Sequence, residues 1–196
     1  MKTTAYITHE MIAHNAIELD AITNDFDFYA ERIIEMLKHA SRTSTAIEGG
    51  VLIESEGVRI DFVDELSPVI SNLCLRSVPP LMRGETVTVL AFGDSGAVVL
   101  APSDDRLSVY DLLATVVVPD GKELAGESAA FTTSLEHAVR SLLEVGTTYG
   151  DIWAQLAERY PQLPGLRISA ESAAKLRDEA RAAIQAAYPG NDTISQ

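Results

Sequence analysis

Ser95 lies in the stretch Phe92-Gly93-Asp94-Ser95-Gly96-Ala97. As a nucleophile it would need a base within hydrogen-bond reach. The nearest upstream histidine is His39, inside a helical pattern, and alternating apolar stretches flank the tetrapeptide on both sides. Gly-Asp-Ser-Gly between two strands is turn chemistry, because glycine tolerates positive φ and Asp and Ser bond to local backbone. His9-Glu10-Met11-Ile12-Ala13-His14 resembles a zinc helix with one residue too many. Zinc helices place histidines at i and i+4. At i and i+5 the two rings stand about 140° apart around the axis, so one helix face cannot present both to one ion.

The acids Asp20, Asp25, Asp27, Glu54, Glu56, Asp61, Asp64 and Glu65 are the third candidate set. Paired carboxylates can hold a hard cation or do acid–base work. No calcium-loop spacing occurs, and Asp25-Phe26-Asp27 at a helix start is what the helix dipole favours. His137 has no Ser or Cys placed beside it by sequence, and it is read as a helix-surface residue. Tyr149 and Trp153 are read as anchors of the C-terminal helices, and Cys74 as a buried core thiol. A single cysteine rules out an internal disulfide and any multi-cysteine metal site. No phosphate loop or dinucleotide fingerprint is present. No catalytic residue, metal or cofactor is therefore assigned.

The elements that would position these residues follow from periodicity. Ile7, Met11, Ala13, Ile17 and Ile22 suggest a helix over 8–22, within an N-terminal helical extension 1–24. Phe26, Ala30, Ile33 and Leu37 form the stripe of a second helix, capped by Asn24 or Asp25. The period then changes to two. With Glu56-Gly57 as a turn, Ser55 faces Val58, Glu54 faces Arg59 and Ile53 faces Ile60, which puts the apolar residues on one face and an opposite-charge pair on the other.

Ser67-Pro68 marks a helix start, with Val69, Ile70, Leu73 and Cys74 inward and Pro79-Pro80 as its end. Residues 86–118 predict a strand meander, with strands at Ala97–Leu100, Arg106–Tyr110 and Leu113–Val118. A helix from Glu127 closed by Gly146, a short helix Asp151–Arg159 and an alanine-rich helix Ser169–Tyr188 complete the chain. The expected fold is α+β: a mostly antiparallel five- to six-stranded meander sheet packed by helices, with N-terminal helices and a helical C-terminal region. Residues 1–190 form one domain, 127–190 being its C-terminal helices, and 191–196 a tail.

From the second helix onward the order α-β-β-α-β-β-β-α resembles the profilin-like and roadblock-type arrangement of small regulatory and adaptor proteins. That resemblance implies a five-stranded antiparallel sheet between helices and a regulatory adaptor role.

Composition bounds the partners. Twenty-nine acidic residues oppose fifteen Lys and Arg, a net charge of −14. Such a field repels phosphate backbones and anionic lipid, which argues against direct nucleic-acid or membrane binding and favours a basic protein partner. No apolar run reaches the roughly 20 residues needed to span a bilayer, and the N-terminus lacks the order of a secretory signal, so a cytoplasmic location is expected. The function expected is a non-enzymatic acidic protein-binding domain, of inhibitor or immunity type. Its partner-binding residues would be Glu54, Glu56, Asp61, Asp64 and Glu65. A dimerising adaptor, a bacterial or phage assembly subunit, and an enzyme with a scattered site are the alternatives.

Overall fold

The computed structural model describes residues 1–8, 16–39, 47–90, 96–113, 124 and 127–189. Period-two segments within them pair into two antiparallel four-stranded sheets, and the whole is α+β. The first sheet holds β1 (Lys2–Ile7), β2 (Ile17–Glu18), β3 (Glu48–Ser55) and β4 (Val58–Glu65), in the order β2-β1-β3-β4. The second holds β5 (Val87–Leu90), β6 (Gly96–Ser103), β7 (Arg106–Leu113) and β8 (Phe131–Ser134), in the order β5-β6-β7-β8.

The helices are α1 (Leu19–Asn24), α2 (Phe26–His39), α3 (Leu66–Val69), α4 (Val78–Met82), α5 (Leu135–Arg159) and α6 (Pro164–Ala187). A π-helical segment, Ile70–Arg76, joins α3 towards α4. The β3–β4 register is the expected one, with Ser55 opposite Val58, Glu54 opposite Arg59 and Ile53 opposite Ile60.

The layout differs from the single meander sheet, and from the five-stranded sheet of the profilin-like arrangement. After β4 the chain enters α3 and the π segment instead of pairing with β5, so two sheets form. The N-terminal helical extension is also corrected. Lys2–Ile7 is a strand, as its Thr and aromatic content permits, Ile17–Glu18 is a second, and helix occurs only at Leu19–Asn24. Residues 9–15 of the expected helix lie outside the described residues. The C-terminal region begins with strand β8 instead of helix, because Ser134 caps α5 by accepting a hydrogen bond from the His137 backbone N–H.

Gly146 does not end α5, which runs on unbroken to Arg159. A Cβ there would run into the Leu75 side chain, so the glycine marks a close approach between α5 and the π segment. Pro79 and Pro80 sit in the first turn of α4, where a missing N–H costs nothing, and so open a helix instead of closing one. The strand expected at Leu113–Val118 lies beyond Leu113 outside the described residues, as does the Gly93–Ser95 part of the turn. The strands flanking that turn do pair, with Leu90 opposite Ala97.

The core lies between the sheets' inward faces and the long helices. Ile53, Ile60, Val98, Leu100, Leu107 and Val109 are all buried, together with Leu142, Trp153 and Ile184 of the helices. Helix α5 packs on α6, on the π segment and on strands of both sheets, so it positions β1 and β8 alike.

Candidate interaction face and its neighbouring groove

In a strand, successive side chains point to opposite faces. In the first sheet Ala5, Ile7, Val51, Ile53, Ile60 and Phe62 share the buried face. The other face carries Lys2, Thr4 and Tyr6 of β1, Glu18 of β2, Glu48, Gly50, Leu52 and Glu54 of β3, and Arg59, Asp61, Val63 and Glu65 of β4. Register arranges these in rows. Glu54 stands between Lys2 and Arg59, while Glu48 stands directly opposite Glu65. Like charges opposed across a ladder are destabilising. Val63 is 39% exposed beside them.

Tyr6 ties this face together. The position a Cβ would take on Gly50 is 2.6 Å from the Tyr6 hydroxyl and 2.7 Å from Cζ, so the ring lies across the bare glycine. The hydroxyl donates to Asp61 Oδ1 at 2.5 Å, two strands away. Burial and then this carboxylate push the phenol pKa up.

Of the five expected partner-binding acids, the structure brings Glu54, Asp61 and Glu65 to one face. Glu56 sits in the β3–β4 turn with φ of 52°. Asp64 belongs to the opposite parity, and its Oδ1 accepts the Glu65 backbone N–H at 2.7 Å. Sequence reasoning missed Glu48, Glu18 and Tyr6. The available signal was Gly49-Gly50 inside a strand, which marks a close approach, but the aromatic that approaches is known only from the β1–β3 register.

The other candidates scatter. Ser95, His9 and His14 lie outside the described residues, and His39 ends α2. Asp27 pairs with Arg159, and Asp25 follows α1. Cys74 is buried in the π segment, where desolvation pushes its thiol pKa up. Tyr149 stacks on Trp153 with centroids 4.5 Å apart, and its hydroxyl lies 2.5 Å from Ser67 Oγ. Both rings are core anchors, as expected.

His137 and Asp20 line a cavity of about 460 Å³ between β1, the start of α1, and α5. The His137 Nε2 lies 2.7 Å from the Met1 carbonyl, which can only accept, so Nε2 donates. Ser141 Oγ donates instead to Thr3 Oγ1 at 2.9 Å. Histidine and serine thus share the cavity without forming a nucleophile–base pair. Among the described residues no three His, Cys, Asp or Glu converge to hold a metal, and no helix is long and apolar enough to cross a membrane.

No protein-family model, no curated protein and no solved structure matches this chain.

Proposed function

We propose that the chain is a non-enzymatic, acidic protein-binding domain of inhibitor or immunity type. Its partner is a basic protein, and the face that meets it is the β3–β4 side bearing Glu48, Glu54, Asp61 and Glu65. The observation that carries this reading is the opposition of Glu48 and Glu65 next to exposed Val63. Two carboxylates held against each other on a solvated surface are unfavourable alone and favourable against a cationic partner, and apolar area beside them adds burial. The net charge of −14 would speed such an encounter.

The test separates binding from stability. Glu48→Lys replaces a like-charge pair by an opposite one, so it should stabilise the isolated chain by about 0.2–1 kcal/mol in urea denaturation. The same variant should lose the basic protein that the wild type captures from the native host at low salt, where charge complexes are strongest. Capture of the same protein by both, or of no basic protein by the wild type, sinks the reading.

A further inference from the structure

We infer that the open edge of β1 and the facing side of α5 form a groove for one extended peptide segment, which adds to the first sheet as an antiparallel strand. Strand β2 pairs only with Tyr6 and Ile7, and among the described residues no strand pairs with Lys2–Ala5 on that side. The direction of the main chain follows from one bond. The Thr8 N–H donates to the Glu48 carbonyl at 2.9 Å, so residues of Thr8's parity, Lys2, Thr4 and Tyr6, turn their backbone groups towards β3. Thr3 therefore turns its N–H and C=O to the open edge. Met1 has the same parity as Thr3, and its carbonyl indeed points outward, where His137 meets it.

Helix α5 runs alongside this edge. His137 meets Met1 and Ser141 meets Thr3, two strand residues for four helix residues. At about 3.3 Å and 1.5 Å per residue the two advances match, so strand and helix wall the same groove. Its volume of about 460 Å³ is in the range of built binding clefts. An unpaired strand edge beside a helix is the geometry of peptide recognition by strand addition.

The walls also select charge. Asp20 and Glu144 line the end near Ala5, whereas Lys2 and His137 line the end near Met1, where Arg140 is already paired with Glu136 at 2.9 Å. An antiparallel strand enters at the Ala5 end. Its N-terminal residue is then best cationic and its C-terminal residue best anionic, with β-branched residues between. This inference does not depend on the acidic face of β3–β4.

The test is selection from a phage-displayed random heptapeptide library against the full chain, followed by amide exchange with the synthesised winner. Enriched peptides should carry Lys or Arg first and Asp or Glu last, and should slow exchange at Thr3. Thr3→Pro deletes the outward N–H without touching the β1–β3 ladder, a substitution that edge strands tolerate. It should weaken the peptide by about tenfold or more, whereas Thr3→Ala, which keeps the N–H, should stay within about threefold. Glu144→Lys should abolish the preference for a leading cation. Absence of enrichment, unaltered Thr3 exchange, equal binding by Thr3→Pro, or occupation of the edge by a second copy of the chain would each overturn the groove.

Discussion

The two sheets press one face each into a shared core, yet their other faces are unlike. In the internal strand β3 of the first sheet, the outward residues are Glu48, Gly50, Leu52 and Glu54, set among Tyr6, Lys2, Arg59, Asp61 and Glu65. In the internal strand β6 of the second, both parities are buried: Val98 and Leu100 at 0%, Ala97 at 1% and Val99 at 2%. Opposite Ala97 and Val99 stand Leu90, Leu112, Thr88 and Tyr110, all neutral. Identical antiparallel pairing thus supports a charged stretch around β3 in one sheet and a neutral stretch around Ala97 and Val99 in the other, where Arg106 stands at the far end of the face. The ladder fixes which residues are neighbours, while burial follows what covers them: Ala97 and Val99 are buried although Leu90, opposite Ala97, is 51% exposed. The proposed recognition of a basic partner therefore rests on the first sheet.

The sharpest way to break this contrast is one substitution made on both internal strands. Val99→Lys would bury an unpaired charge and should cost about 4 kcal/mol or more, or prevent folding. Leu52→Lys places the same charge on a half-buried site between Glu54 and Asp61, and should cost less than about 1 kcal/mol. Urea denaturation of the two variants reads the difference. Equal losses would mean that the first sheet's outer face is as dry as the second's.

A smaller effect comes from Tyr6. Unfolded chains lose the phenol proton near about pH 10. Burial and the Asp61 carboxylate hold that proton longer in the folded state, so above this pH the unfolded state binds fewer protons and stability falls as pH rises. Tyr149 behaves likewise, its pKa pushed up to about 12 by burial against the opposing Ser67 bond. Each group contributes a slope of at most about 1.4 kcal/mol per pH unit. Tyr6→Phe should cost about 1.5–3 kcal/mol near neutrality, the net worth of a hydrogen bond to a charged group. It should also remove the Tyr6 share of the alkaline loss, leaving the shares of Cys74, Tyr149 and Tyr188, whose pKa values burial likewise raises. Chemical denaturation at a series of alkaline pH values checks this, and an unchanged slope would detach Tyr6 from Asp61.

These two experiments also mark what the sequence could say. The β3–β4 hairpin was legible because period two, a Glu-Gly turn and the Glu54/Arg59 pair all agreed on one register. Strand β1 was not. Lys2-Thr3-Thr4-Ala5-Tyr6-Ile7 needs β3 to bury its face, and its isoleucine also fits a helical spacing with Ile17 and Ile22. Strand β8 hid for a similar reason, since Phe131 and Leu135 are four apart but belong to two different elements. Gly146 looked like a helix end because its cause, the Leu75 side chain, lies 71 positions away. The site divided along the same line. All five expected acids lie on the legible hairpin, but only Glu54, Asp61 and Glu65 share its outward parity, whereas Glu18, Tyr6 and the groove depend on β1.

The weakest perturbation tests whether charges on the first sheet's outer face interact at all. Glu54 lies between Lys2 and Arg59 in register, so Arg59→Glu would leave it one cationic neighbour and create one like-charge pair. Arg59 is exposed, and exposed pairs are screened, so the loss should be only about 0.2–1 kcal/mol. Raising salt should shrink it further, because the Debye length falls from about 10 Å at 0.1 M to about 3 Å at 1 M, below the spacing of a cross-strand pair. A double-mutant cycle with Glu54→Gln, measured at low and high salt, isolates the term. A loss of several kcal/mol would mean that Arg59 is held in a drier setting than its exposure allows. The charged face would then be as dry as Ala97 and Val99 of the second sheet, and the proposal that it is a solvated landing surface for a basic partner would fail.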